Sequence, residues 1–167
     1  MAAEVAEVAQ RCEDSKASRE LLLNSCGLRK FPEAVFFILS GVEMQKLSLA
    51  DNQFTRLPAK LMSSPVFASV TSLDLSSNNL STLPDTIPSL QRLTFVNLSR
   101  NKFESFPEIL TQVPSLSQID LSSNRIQNVE QLVVDSLPAS LEVLTLTDNP
   151  LTEEAKVLLI GSGKVMC

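Results

Sequence analysis

Two aspartates, Asp74 and Asp120, occupy the same place in two copies of one spaced pattern, and they are the closest the sequence comes to a carboxylate pair for acid–base work. Two strand spacings of about 4.8 Å would put them roughly 10 Å apart, just beyond the roughly 6.5–9.5 Å of an inverting hydrolase pair. An open sheet would keep both hydrated, with little to raise either carboxyl, so hydrolysis through Asp74 and Asp120 is the remote reading and a solvated acidic strip the favoured one. The chain has no histidine, which removes the commonest general base and metal ligand. Its many serines have no evident activating base. Cys12, Cys26 and Cys167 are too few and too far apart for a disulfide framework or a metal knuckle. "GSGK", Gly161 to Lys164, resembles the end of a phosphate loop, but Leu158 and Val165 break the required spacing; it is read as a flexible tail. No catalytic residue, metal or cofactor is expected.

What would position these groups is a repeat. The pattern L-x-L-x-x-N-x-L-x-x-L-P is filled by Leu47, Leu49, Asn52, Phe54, Leu57, Pro58, then by Leu73, Leu75, Asn78, Leu80, Leu83, Pro84, then by Val96, Leu98, Asn101, Phe103, Phe106, Pro107. An earlier copy runs through Leu21, Leu23, Cys26, Leu28, Phe31, Pro32, with cysteine at the asparagine place. Later copies run through Ile119, Leu121, Asn124, Ile126, Val129 and through Leu144, Leu146, Asn149, Leu151. The marker steps from 26 to 52, 78, 101, 124 and 149, intervals of 26, 26, 23, 23 and 25 residues. A period of this length is the signature of a solenoid.

Residues 18–151 therefore resemble a leucine-rich repeat array of the intracellular type, with the L-P-x-x-I-x-x-L tail clearest at Leu83, Pro84, Ile87 and Leu90. The resemblance implies an α/β fold, a right-handed solenoid of six repeats with a parallel sheet on its concave face. The physics agrees, because no single copy can bury its own leucines and stacking supplies the missing half of the core. Asn52, Asn78, Asn101, Asn124 and Asn149 are read as structural: a side-chain amide offers both donor and acceptor to backbone groups stranded at a sharp turn. Cys26 suits a first copy with no earlier neighbour.

Solenoids expose core at both ends unless capped. Val5, Val8, Ala9 and Cys12 recur at helical spacing, so residues 1–17 are expected to form an N-terminal capping helix. Residues 152–167 are expected to form a C-terminal cap and tail, with a helix start at Thr152, cover from Val157, Leu158 and Ile160, and a stop at Gly161. The longer first copies suggest a convex helix beginning at Pro32. Phe36, Phe37 and Ile38 cannot all face inward from it, and burial against the "PVFASV" return is the favoured reading over a sticky patch.

Strand alternation then assigns the side chains of the inner curve. One lane reads Glu20, Lys46, Ser72, Phe95, Gln118, Val143; the next reads Leu22, Ser48, Asp74, Asn97, Asp120, Thr145; a third reads Asn24, Ala50, Ser76, Ser99, Ser122, Thr147. Of the eight phenylalanines only Phe95 falls in such a lane. It anchors a candidate partner-binding site of Lys46, Asp74, Phe95, Asn97, Gln118, Asp120 and Val143.

Composition closes off other classes. A 167-residue chain that is 44% hydrophobic is long enough for a real core. Its 14 lysines and arginines are scattered along the sequence and its net charge is −5, so no nucleic-acid partner is expected. The longest apolar run, Ala34 to Leu39, is too short to span a membrane, and Glu4 and Glu7 break any secretory start. The glycosylation sequons at Asn79 and Asn97 are therefore read as coincidence. The expectation is a cytoplasmic, monomeric, non-enzymatic adaptor or scaffold that binds a protein partner on its concave face, with the nucleus as the alternative compartment. Self-association through a strand edge or the convex "FFIL" region is the runner-up.

Overall fold

The computed structural model describes residues 2–161 and 165–166; Cys167 and the GSGK stretch beyond Gly161 lie outside the described residues. Strands β1 (Glu20–Leu22), β2 (Lys46–Ser48), β3 (Ser72–Asp74), β4 (Phe95–Asn97), β5 (Gln118–Asp120) and β6 (Val143–Thr145) form one parallel sheet in chain order, which a two-residue β7 (Val165–Met166) extends. Leu21, Leu47, Leu73, Val96, Ile119 and Leu144 sit opposite one another in successive strands. All six are buried, in a core that runs unbroken through every repeat. The expected α/β leucine-rich solenoid is therefore the observed architecture.

Repeat length sets what returns along the outer side. The 26-residue repeats have room for α2 (Ala34–Ile38) and α3 (Ala59–Ser63), and the 25-residue repeat for α4 (Gln131–Asp135). The 23-residue repeats manage only 3-10 turns at Ile87–Ser89 and Glu108–Gln112. α2 starts after Glu33 rather than at Pro32, whose carbonyl instead accepts from Val35 N at 3.1 Å. Phe36 does turn toward the PVFASV return: Phe31, Phe36 and Phe67 form a cluster with centroids 5.4–6.3 Å apart. Phe37 stays out, 78% exposed.

The turn that ends each strand has a signature the repeat pattern does not advertise. The residue before each marker, Ser25, Asp51, Ser77, Arg100, Ser123 and Asp148, is left-handed, with φ between 54° and 57°. This conformation costs a non-glycine residue roughly 1–2 kcal/mol, and the marker's side chain offsets it. Asn78 is typical: its Nδ2 lies 2.9 Å from Leu49 O in the repeat before, 3.1 Å from Leu75 O and 3.0 Å from Ser76 O, while its Oδ1 accepts from Phe54 N at 3.0 Å. Asn52, Asn101, Asn124 and Asn149 repeat this arrangement. Cys26 makes one local bond, Sγ to Asn24 O at 3.4 Å.

Both ends are covered, though not by all the residues expected. In α1 (Ala2–Ser18) Val8, Cys12 and Ser15 are buried, but Val5 is 68% exposed, at the edge of an open apolar groove that α1 leaves against Leu28, Pro32 and Ile38 of the first repeat. Arg11 Nη1 donates to the Leu22 and Asn24 carbonyls. In α5 (Glu153–Gly161) Thr152 Oγ1 accepts from Ala155 N as a cap. Ala155 and Leu159, one helical turn apart, face the core, while Val157 and Ile160 are 72% and 68% exposed, because the helix meets the last repeat along the 155–159 stripe.

Candidate inner-face binding site

The short strands alternate side chains between the core and the inner curve, so the register alone assembles the candidate site. Lys46, Phe95, Gln118 and Val143 share one lane, and Asp74, Asn97 and Asp120 share the next. Phe95 is half-buried between Ser72 and Gln118; Gln118 is exposed and separates it from Val143. Two apolar side chains on a polar floor, two strands apart, make a shallow open surface rather than an enclosed pocket.

The polar members are partly committed already. Asp74 Oδ1 accepts from Ser76 N at 3.0 Å and from Ser76 Oγ at 2.7 Å. Asn97 does the same for Ser99, and Asp120 Oδ1 accepts from Ser122 N at 2.8 Å. Each side chain thus holds its own turn with one oxygen and presents the rest of its head to the open face. Lys46 shares its ammonium with Glu20 at 3.7 Å. Asp74 and Asp120 stand either side of Asn97 on this half-exposed sheet, and no group of three or more metal-ligating side chains occurs among the described residues. The arrangement is an open, half-exposed polar surface and offers no closed site to activate a carboxylate.

Two lane positions differ from expectation. Ser48 and Ala50 are buried, 2% and 5% exposed, because short side chains sink between longer neighbours such as Leu22 and Asp74. Among the described residues Ser48 Oγ and the nearby Asn24 Oδ1 find no hydrogen-bond partner. Sequence reasoning also passed over Leu22, an inner-curve leucine that remains 40% exposed; its lane position was the signal that could have found it.

A family model described as leucine rich repeat matches residues 43–103 and 68–126, together half of the chain. A 43-residue stretch is 51% identical to mouse leucine-rich repeat serine/threonine-protein kinase 1, covering 26% of this chain and 2% of the kinase. A solved leucine-rich repeat protein of Leptospira interrogans is 26% identical with a TM-score of 0.70, covering 84% of this chain and 34% of that one. YopM of Yersinia enterocolitica is 29% identical with a TM-score of 0.61, covering 88% and 29%. The chain thus spans about a third of the length of these two solved relatives.

Proposed function

This chain belongs to the leucine-rich repeat family, and from that premise we propose that it is a protein-interaction module whose inner curve binds a protein partner. Members of the family are generally such modules. The observation that carries the inner-face reading is the contrast between Phe95 and the other phenylalanines of the array's strand and turn positions: Phe31, Phe54, Phe103 and Phe106 are in the core, while Phe95 faces the open sheet beside Asn97, Gln118 and Asp120. A half-buried aromatic ringed by polar groups has the composition of an interface centre. Binding occurs without catalysis and without a cofactor.

Cytoplasm or nucleus is the compartment this reading favours. Cys12 and Cys26 are free and buried, as in a reducing environment, and no described helix is long and apolar enough to cross a membrane. The protein acts as a monomer toward its partner, since the outer edge of β1 is already engaged by Arg11.

The test begins with proximity labelling in cells to identify neighbours, followed by titration of each purified neighbour against wild type, Phe95→Ala and Asp120→Lys. Loss of binding in both variants, with unchanged melting temperature, supports the inner face. Equal affinity in all three proteins removes it.

A further inference from the structure

Cations that look scattered along the chain meet in space. After each marker residue the chain runs extended before turning to the outer side, and these segments stack: the N–H groups of Gln53, Asn79, Lys102 and Arg125 donate to Leu28, Phe54, Leu80 and Phe103 carbonyls at 2.8–2.9 Å. The stack forms one rim of the solenoid, along the C-terminal ends of the strands. It carries Arg29, Lys30, Arg56, Arg100, Lys102 and Arg125, all exposed.

These cations form no ion pair among the described residues, and against the six of them the same rim exposes three carboxylates, Asp51, Glu104 and Asp148, so that it keeps a net charge of +3. Among the described residues the ion pairs are Arg11–Glu7, Lys16–Glu13, Lys46–Glu20, Lys60–Glu33 and Lys156–Glu153, none of them on this rim. Arg29 Nε donates to Gln53 Oε1 at 3.1 Å; the other five side chains have no partner among the described residues. Arg100, Lys102 and Arg125 come from two adjacent repeats, with Asn97 and Asp120 on the inner curve just before them. In a chain of net charge −5, a cationic strip bordering the candidate interface is a local reversal of sign that complements an anionic partner.

We propose that this rim binds an acidic, extended Asp/Glu-rich segment of the protein partner, running beside the inner face. From Arg29 to Arg125 the rim spans four strand spacings, roughly 19 Å at about 4.8 Å each, the reach of about six extended residues. Its cations fall in two groups, Arg29, Lys30 and Arg56 and then Arg100, Lys102 and Arg125, on either side of the uncharged rim segment of the third repeat. A protein segment fits better than a nucleic acid. The chain's net negative charge repels a long polyanion, whereas a short segment senses mainly charges within about 8–10 Å, and Phe54 and Phe103, which would be needed for base stacking, are buried under the rim.

This inference rests on the reading of the chain as a partner-binding module, but its test does not use the inner face. A fluorescein-labelled octaglutamate peptide is titrated by anisotropy at low and high salt against wild type, an Arg100→Glu/Lys102→Glu/Arg125→Glu variant, and a charge-matched Lys16→Glu/Lys60→Glu/Lys156→Glu control. Oligothymidylate and phosphatidylserine vesicles are run in parallel. Salt-sensitive peptide binding that weakens roughly tenfold or more in the rim variant, persists in the control, and exceeds binding to oligonucleotide and vesicle supports the proposal. No saturable binding at low salt, equal loss in the control, or tighter binding of the oligonucleotide or vesicle overturns it. Should the triple variant melt early, Arg125→Gln and Lys102→Gln singly replace it, each expected to lower the salt dependence. Phe95→Ala keeps the peptide while losing the partner, so failure of the rim and failure of the inner face read out separately.

Discussion

The guanidinium of Arg11 stands against the Leu22 carbonyl at 3.0 Å, where an N–H of a preceding strand would otherwise be. The same Nη1 reaches Asn24 O at 2.9 Å, and Glu7 holds the other nitrogen at 2.6 Å. In the interior repeats the matching carbonyls, Ser48 and Ala50, accept from Leu23 N and Ser25 N. One side chain thus supplies at the edge what a whole repeat supplies inside, and it blunts the edge on which self-association through β1 would depend. At the other end β7 pairs with β6 at Leu144 and Thr145.

Arg11→Met should therefore lower stability by roughly 1–2 kcal/mol, the scale of losing charge-assisted bonds to backbone, and should raise the apparent mass in light scattering as concentration increases. A monomeric variant of unchanged melting temperature would show that the edge needs no such cover.

The asparagine ladder makes a ranking. Asn101 is 7% exposed and ties Leu75 and Leu80 of the repeat before to its own turn, whereas Asn149 is half-buried and its longest bond is 3.4 Å. Asn101→Ala should cost about 2–3 kcal/mol and Asn149→Ala about 1, measured by urea unfolding. The opposite order would contradict the ladder.

Ser48 Oγ is buried without a hydrogen-bond partner among the described residues. Removing it should relieve an unmet desolvation penalty, so Ser48→Ala is expected to raise stability by up to about 1 kcal/mol. A lower melting temperature would mean that the hydroxyl is bonded in solution.

Burial pushes the Cys12 thiol up from 9.0 to about 11, with Glu13 adding to the rise and Lys16 opposing it. The unfolded chain releases this proton first and binds fewer protons between those values, so the cap's contribution is whole below pH 9 and declines as pH climbs toward 11. The difference in urea midpoint between wild type and Cys12→Ala should shrink across that window. A constant difference would place the thiol in water.

The sequence by itself determined the solenoid. Strand register, the buried column from Leu21 to Leu144 and the place of each asparagine follow from a period that returns six times, because only stacked copies can close one another's cores. It also placed Phe95, Asn97 and Asp120 on the inner curve, since strand alternation is purely local. Tertiary structure decided matters that depend on neighbours. Val5, Val157 and Ile160 share the apolar character of Val8 and Leu159 yet stay in solvent, because the phase at which each cap helix meets its terminal coil is set by packing. Lys102 and Arg125 lie 23 positions apart in the chain and become near neighbours because each coil returns beside the last. Charge carries no period of its own, so its gathering into a rim emerges only when the coils are stacked.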